Sequence, residues 1–158
     1  MSNFMARSWG KDNLSETGTT GFCGNTLLNT LDFDCFAKDV ETGAMLLSRR
    51  GAVSVVAVSK TTVGPASMVR IKADAFAPGL PVSDVVIGSD TRIRVAGSSA
   101  KALNLPDASV VLALMAVNGE TVLHEEVDAQ TLVRITLDEP GMIYAAGLAV
   151  QCQTAHQI

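Results

Sequence analysis

The chain has 158 residues, of which 47% are hydrophobic and 18% are charged. This balance excludes an intrinsically disordered chain, and the length suits one domain with a sizeable core. The net charge is −4 and the basic residues are dispersed, so the concentrated positive face of a nucleic-acid-binding protein is absent and no nucleic-acid partner is expected.

The sequence also limits the compartment. Residues 1–21 lack the apolar core of a secretory signal, and no stretch approaches the roughly 20 apolar residues of a membrane span. The three cysteines, Cys23, Cys35 and Cys152, are an odd number without the paired spacing of a metal site, so each is expected to be a buried, reduced thiol. We therefore expect a cytoplasmic protein with no membrane partner, no metal and no cofactor.

The predicted domain boundaries follow from where periodic patterns begin and end. Residues 1–20 are rich in Ser, Thr, Asn and Gly and are interpreted as a mobile N-terminal arm. The folded domain is predicted over 21–152. Residues 153–158 are interpreted as a frayed tail.

Short extended segments separated by turns fill the first third of this domain. A first strand is predicted over 26–30, one helical turn over 37–43 and a short strand over 45–48. A long strand follows over 52–63, and its apolar composition predicts that it is largely covered.

Several later segments alternate apolar and polar residues, which is typical of strands with one face on the core. The polar partners in these segments include arginine, lysine and threonine, which are expected to face water. The predicted inward positions are Val69, Ile71, Ala73, Ile93, Val95, Val133, Ile135 and Leu137.

The longest apolar runs predict the centre of the fold. Residues 110–117 are apolar enough to predict a strand buried on both faces. Asn118-Gly119 favours a type I′ turn, and a second extended segment that follows it as far as Val127 would complete a central hairpin. A second run, 142–150, is predicted to be one fully buried segment. The whole pattern predicts a compact all-β domain of about nine to eleven short strands with minimal helix.

The order of these motifs resembles that of the Hint superfamily, the self-processing module of hedgehog proteins and inteins, in its bacterial form. The opening 22–28 is similar to the family's Cys-Phe-x-x-Gly-Thr-Leu-Ile, and 37–51 to its Val-x-Asp-Leu-x-x-Gly-Asp-x-Val-Leu-Thr-x-x-Gly. The segments 79–87, 117–122 and 135–148 are similar to its later blocks. The resemblance implies a disc-like, all-β Hint-type fold.

In that family a cysteine at the head of the first strand attacks the preceding carbonyl, while a histidine protonates the departing nitrogen and polar groups polarise the carbonyl. Here the nucleophile position holds Gly21, and Cys23 follows two residues later on the same face of the strand. Thr91 and Arg134 stand where the family has histidines. The resemblance therefore implies Cys23, Thr91, Asp90 and Arg134 as the candidate catalytic residues.

Two functional hypotheses follow. Neither Thr91 nor Arg134 can transfer protons near pH 7, which favours a catalytically degenerate module that serves as a folded structural or interaction domain rather than an enzyme. Its partner would be itself or another protein, and the mean hydropathy of +0.29 fits strands hidden in a homo-oligomer. The alternative is an active, thiol-dependent self-cleaving Hint domain with Cys23 as the nucleophile.

Neither of the two histidines indicates another site. His124 shares a strand face with Glu126 and is expected to be solvated. His156-Gln157 looks like a Gln variant of the His-Asn ending of inteins, but a frayed terminus is the simpler interpretation.

Overall fold

The computed structural model describes residues 19–97, 100–101, 104–139 and 141–154. These residues form an all-β fold, as predicted, with two short 3-10 helices, η1 (Ala37–Asp39) and η2 (Ala113–Ala116). The described strands are β1 (Phe22–Cys23), β2 (Leu27–Leu28), β3 (Cys35–Phe36), β4 (Met45–Ser48), β5 (Gly51–Val63), β6 (Ala66–Ile71), β7 (Val85–Gly88), β8 (Arg92–Val95), β9 (Ser109–Leu112), β10 (Val122–Val127), β11 (Gln130–Leu137), β12 (Met142–Ala145), β13 (Leu148–Gln151) and β14 (Gln153–Thr154).

Four of the fourteen described strands have only two residues, so ten longer strands remain, within the predicted range. Their hydrogen-bonded order is β10-β6-β7-β1-β11-β5-β4-β12-β13-β8-β9, with β14 beside β11 and the pair β2–β3 beside β12. The long strand β5 joins the two halves, because its first residues pair with β4 and its later residues pair with β11.

The start of β1 is the part of the sheet that matters for the candidate site. Phe22 pairs with Val133 of β11 on one side and with Ile87 of β7 on the other. The residues just before Phe22 therefore lie between β11 and the turn that follows β7. That turn carries Asp90 and Thr91.

The main core is aliphatic, as the scarcity of aromatic residues requires. All the predicted inward positions are buried except Ala73, which is half-buried. A smaller cluster of Ala66, Met68 and Leu132 has Cys23 packed against it. Since Phe22 belongs to the main core and the next residue packs on the smaller cluster, the two side chains follow the alternation of a strand.

The predicted central hairpin is wrong. The chain is extended only over Ser109–Leu112 and then forms η2, and β9 pairs with β8 while β10 pairs with β6. In place of a tight turn, the Asn118 Oδ1 accepts hydrogen bonds from the backbone N–H groups of Glu120, Thr121 and Val122 at 2.8–3.0 Å, which shapes a wider loop. Nor is 110–117 buried on both faces, since Met115 is 60% exposed.

Two other strand predictions need correction. The segment 142–150 is a hairpin rather than one strand, with β12 and β13 joined at Ala146 and Gly147, both of which have positive φ. The strand β5 occurs as predicted, but the prediction that it is largely covered is wrong, since all of its residues after Val55 are exposed or half-buried.

The predicted ends of the domain are described only in part. Residues 1–18 and 155–158, including His156-Gln157, lie outside the described residues. Gln153–Thr154, which begins the predicted tail, forms β14 and pairs in parallel with β11. Among the described residues no helix is long and apolar enough to cross a membrane.

Candidate active site

The peptide bond between Thr20 and Gly21 is held on both sides. Arg134 Nε donates to the Thr20 carbonyl oxygen at 3.1 Å. The Gly21 N–H donates to Thr91 Oγ1 at 3.0 Å, and the Gly21 carbonyl accepts from the Gly88 N–H at 3.0 Å. We call this arrangement around residues 19–21 the peptide clamp.

Asp90 extends the clamp by one residue. Its Oδ2 accepts the Thr19 N–H at 2.8 Å, and its own N–H donates to the Thr19 carbonyl at 2.9 Å. Asp90 thus satisfies both the backbone N–H and the backbone carbonyl of Thr19. Three of the four predicted site residues, Asp90, Thr91 and Arg134, therefore meet around one short segment.

Two glycines allow the backbones in the clamp to approach so closely. A Cβ on Gly88 would lie 2.3 Å from the Thr19 carbonyl oxygen, a distance that no real structure tolerates. A Cβ on Gly21 would lie 2.9 Å from the Val133 carbonyl oxygen, and Gly21 has φ +117°, which side chains disfavour. The clamp therefore requires glycine at both positions.

Burial makes these hydrogen bonds matter. Thr91 is 4% exposed, and the hydrogen bond that its hydroxyl accepts from the Gly21 N–H is buried. A buried amide that lost this acceptor would carry the full cost of desolvation. Arg134 and Asp90 are half-buried at the rim of the same site.

The geometry supplies one catalytic element of an acyl shift and lacks two. Arg134 is placed to polarise the Thr20 carbonyl, as an electrostatic stabiliser would. The Gly21 nitrogen donates its proton to Thr91 instead of receiving one, and a threonine hydroxyl is no acid near pH 7. Gly21 has no side chain to act as a nucleophile.

Cys23 lies outside the clamp. Its Sγ is 3.7 Å from Gln130 Nε2, and its side chain packs against the smaller apolar cluster. Cys23 also pairs with Leu132 within the sheet, and the preceding residue, Phe22, has strand partners on both sides. The structure therefore does not bring the thiol together with Asp90, Thr91 or Arg134 in any described contact.

Of the other two thiols, Cys152 is buried as predicted, whereas Cys35, like Cys23, is only half-buried, so the prediction of three buried thiols is wrong for these two. Burial, with smaller contributions from Asp39 and Asp34, raises the pKa of Cys35. Burial alone raises the pKa of the Cys152 thiol to about 12. Within the described ranges no three His, Cys, Asp or Glu side chains converge to hold a metal ion.

The surroundings of His124 are those of a solvated strand face, as predicted. Its Nε2 lies 2.7 Å from Ser67 Oγ, and the side chain is exposed. On the opposite face Arg70 bridges Glu125 at 2.9 Å and Asp84 at 3.4 Å, and the hydrogen bond to Glu125 is the main cause of a raised pKa for Arg70. These are surface ion pairs with a structural role.

Sequence reasoning missed that Thr19 and Thr20, assigned to the mobile arm, are the segment that the site holds. It also missed Gly88, whose missing side chain makes room for that segment. In the sequence, the position of Gly88 directly before the polar turn Ser89-Asp90-Thr91 was the available sign that it belongs to the site. A glycine at the end of an apolar strand is ordinarily read as a turn residue.

Comparison with known proteins agrees with this geometry. A family model described as Hint domain matches residues 20–156. The fold is similar to that of the gp41-1 intein, at 13% identity and a TM-score of 0.57, over 84% of this chain and 98% of that one. It is also similar to a DnaB intein from Synechocystis sp. PCC 6803, at 12% identity and a TM-score of 0.53, over 85% and 99% of the two chains.

A bacterial intein-like domain from Clostridium thermocellum is similar at 8% identity and a TM-score of 0.52, over 84% of this chain and 98% of that one. At such identities these likenesses concern the fold alone. No sequence among curated proteins matches the chain. The family model covers most of the chain and the solved structures share its architecture, so this chain belongs to the Hint family of self-processing domains.

Proposed function

We propose that this chain is a Hint module that does not cleave itself and serves instead as a folded structural or interaction domain. The observation that carries the proposal is the peptide clamp. It holds the Thr20–Gly21 bond between Arg134 and Thr91, at the place where the family's chemistry occurs, with glycine at the nucleophile position.

The family's reaction explains why the clamp is inert. A thiolate would form a carbon–sulfur bond at the Thr20 carbonyl, and the carbon–nitrogen bond to residue 21 would break as the nitrogen gained a proton. Gly21 supplies no sulfur, and Thr91 supplies no proton. What remains is a set of hydrogen bonds that stabilise the intact peptide.

Cleavage at Phe22–Cys23 is the alternative, and its surroundings give it less support. Phe22 lies in a strand with neighbours on both sides, so its carbonyl carbon cannot become tetrahedral without disturbing the sheet. The Cys23 sulfur accepts a hydrogen bond from the Gln130 amide, which is neither an acid nor a base near neutral pH.

Exposed apolar side chains support a role in association. Phe33 is 78% exposed and Leu31 is 58% exposed, and the Leu31 N–H donates to the carbonyl of Met45, which is itself 38% exposed. Large apolar side chains grouped on a surface usually mark contacts with protein. We propose a second copy of the chain as the partner.

Intact-mass spectrometry of the chain between two folded tags tests the absence of cleavage. Incubation near pH 8 with dithiothreitol, and separately with hydroxylamine, would release fragments from any thioester or ester. We expect one unchanged mass after several days. Scission at Phe22–Cys23 that Cys23→Ala abolishes, or any scission at Thr20–Gly21, would overturn the proposal.

Light scattering over a hundredfold range of concentration tests association. We expect a mass above that of the monomer at high concentration, and Phe33→Ser should return it to the monomer. Met115→Ser removes an apolar side chain that is 60% exposed on η2, outside this group, and as the matched control it should leave the mass unchanged. A monomer at every concentration would contradict self-association while leaving the cleavage result intact.

A further inference from the structure

A small cleft lies on the sheet face opposite the main core, at β12, β13 and β8. Its volume is about 100 Å³, and Arg49, Arg94 and Tyr144 contribute to its lining. None of these residues belongs to the peptide clamp. The cleft is therefore a separate feature of the fold.

The register of the sheet explains why the cleft exists. Tyr144 pairs with Ala149, and the pairing of Val150 with Ile93 places Arg94 on the other side of Ala149. Arg94, Ala149 and Tyr144 therefore stand in one row on one face. Ala149 is the small member between two long side chains, so the row has a gap at its centre.

The second arginine reaches the same gap from a turn. Arg49 follows Ser48 of β4, which pairs with Ile143 of β12. In this antiparallel register Arg49 lies opposite Met142 and diagonal to Tyr144, so Arg49 and Tyr144 both contribute to the lining of the cleft. Leu80 lines the cleft beside Gly147, and its Cδ1 would lie 3.8 Å from a Cβ built on that glycine.

The charges in the cleft are uncompensated. Among the residues that the structure describes, the salt bridges are made by Arg70, and neither Arg49 nor Arg94 contacts a carboxylate. Within the described part of the chain, no acidic residue lines the cleft. Two guanidinium groups thus share one small site in a chain whose net charge is −4.

Such a site has the chemistry of an oxyanion receptor. The guanidinium fork donates paired hydrogen bonds that match phosphate oxygens, and a tyrosine hydroxyl adds another donor. Two cations favour a dianion over a monoanion, because each positive charge needs its own negative charge nearby. Elsewhere on this surface, Arg70 shows the usual outcome, with two carboxylates satisfying one arginine.

We propose that this cleft binds a phosphate dianion, either free or as the phosphoryl group of a small ligand, between Arg49 and Arg94 with Tyr144 as the third donor. The site goes beyond the proposed function of the module. It requires neither cleavage nor association.

Titration of the ¹⁵N-labelled full chain at low ionic strength tests this proposal, with inorganic phosphate, O-phosphoserine and acetate as the probes. We expect saturable shifts of the Gly147 and Ala149 amides with phosphate, and binding of acetate weaker by about tenfold or more. Tighter binding of O-phosphoserine than of phosphate would assign a phosphomonoester ligand. The reverse order would assign the free anion.

Variants decide whether the two arginines form the site. Arg49→Gln, in an exposed turn that should not affect folding, and Arg94→Gln should each weaken phosphate binding about tenfold. Arg50→Gln and Arg92→Gln remove the same charge from neighbouring positions outside the cleft and should change binding less than about twofold. Equal losses in all four variants, acetate bound as tightly as phosphate, or shifts that do not saturate would overturn the proposal.

Discussion

Two peptide bonds with a single other peptide bond between them, Thr20–Gly21 and Phe22–Cys23, have opposite surroundings. The first is held by an arginine on its carbonyl and by a threonine on its amide. The second lies within a strand that is paired on both sides, and its thiol packs on a small apolar cluster. The bond with the polar partners has no nucleophile, and the bond with the thiol lacks the polar partners.

This difference shows that the polar groups of the clamp gather at one peptide bond because that bond lies between the β7–β8 turn and β11. Their placement does not depend on which residue stands at position 21. Asp90, Thr91 and Arg134 keep their places without the cysteine because they stabilise the folded backbone. The hydrogen bonds of the peptide clamp therefore hold an intact peptide segment with glycine at position 21. Four experiments sharpen this comparison.

The largest effect is expected from filling the space that the clamp requires. Gly88→Ala places a Cβ 2.3 Å from the Thr19 carbonyl oxygen, so residues 19–20 must leave or the turn must move. We expect a loss of about 3 kcal/mol in the free energy of unfolding, measured with urea. Gly141→Ala is the control, since a Cβ there meets nothing within 4 Å, and an equal loss in both variants would show that packing around Thr19 is unimportant.

Removing the acceptor for the Gly21 amide should have the next largest effect. Thr91→Val keeps the side-chain shape and leaves a buried N–H without its partner, at a cost of about 2 kcal/mol. Thr62→Val removes a hydroxyl that bonds to Thr131 on the exposed face and should cost less than about 0.5 kcal/mol. Equal urea midpoints for the two variants would contradict the importance of the clamp.

The buried thiol of Cys152 gives a reference for what full burial does to a cysteine. Its pKa is about 12 in the folded chain against an ordinary 9.0, so between these values the folded state keeps a proton that the unfolded state has lost. The contribution of the Cys152 thiol to the free energy of unfolding is therefore fully present below pH 9 and is lost as the pH rises from 9 towards 12. At pH 10 the loss is about 1.4 kcal/mol.

Urea unfolding at pH 8 and at pH 10 measures this loss. In Cys152→Ala the decrease in the free energy of unfolding between pH 8 and pH 10 should be smaller by about 1.4 kcal/mol, because no titrating group remains at the position. Val150→Ala, a buried substitution without a titrating group, should keep the full decrease. The same pH dependence in wild type and Cys152→Ala would show that the thiol is not desolvated.

The smallest effect is expected at Cys23. Its side chain is only half-buried and its sulfur has one amide contact at 3.7 Å, so Cys23→Ala should cost about 0.5 kcal/mol or less. The melting temperature should fall by no more than a few degrees. A loss as large as that of Thr91→Val would show that the thiol belongs to the clamp after all.

The fold class could be predicted from the sequence because alternation survives in the strands that cover the core. Ile93 and Val95, and later Val133 and Ile135, are buried as the pattern predicted. The connections were harder to predict, since Asn118-Gly119 favours a tight turn by itself, while the Asn118 side chain caps a wider loop. A two-residue hairpin turn does occur, but at Ala146-Gly147, between β12 and β13. Ala146 has φ +50° there, a conformation that alanine does not favour, so no local signal in the sequence indicated this turn.

The candidate site was predictable in part. The motif resemblance identified Thr91 and Arg134, and the structure places both at one peptide bond, although their catalytic roles stay a prediction. The contribution of Thr19 and Thr20 could not be predicted, because backbone groups carry no side-chain signature. The same holds for Gly88, whose role depends on a neighbour 69 residues earlier in the chain.

The hydrogen bonds from Asp90 to both backbone groups of Thr19 also have a mechanical consequence. Tension applied at Thr19 along β1 loads these bonds together with those of Arg134 and Thr91, since β1 runs antiparallel between β7 and β11. Bonds loaded in shear must break nearly at once instead of one after another. The first described residues of this domain are therefore a point at which the hydrogen bonds of the peptide clamp would resist pulling.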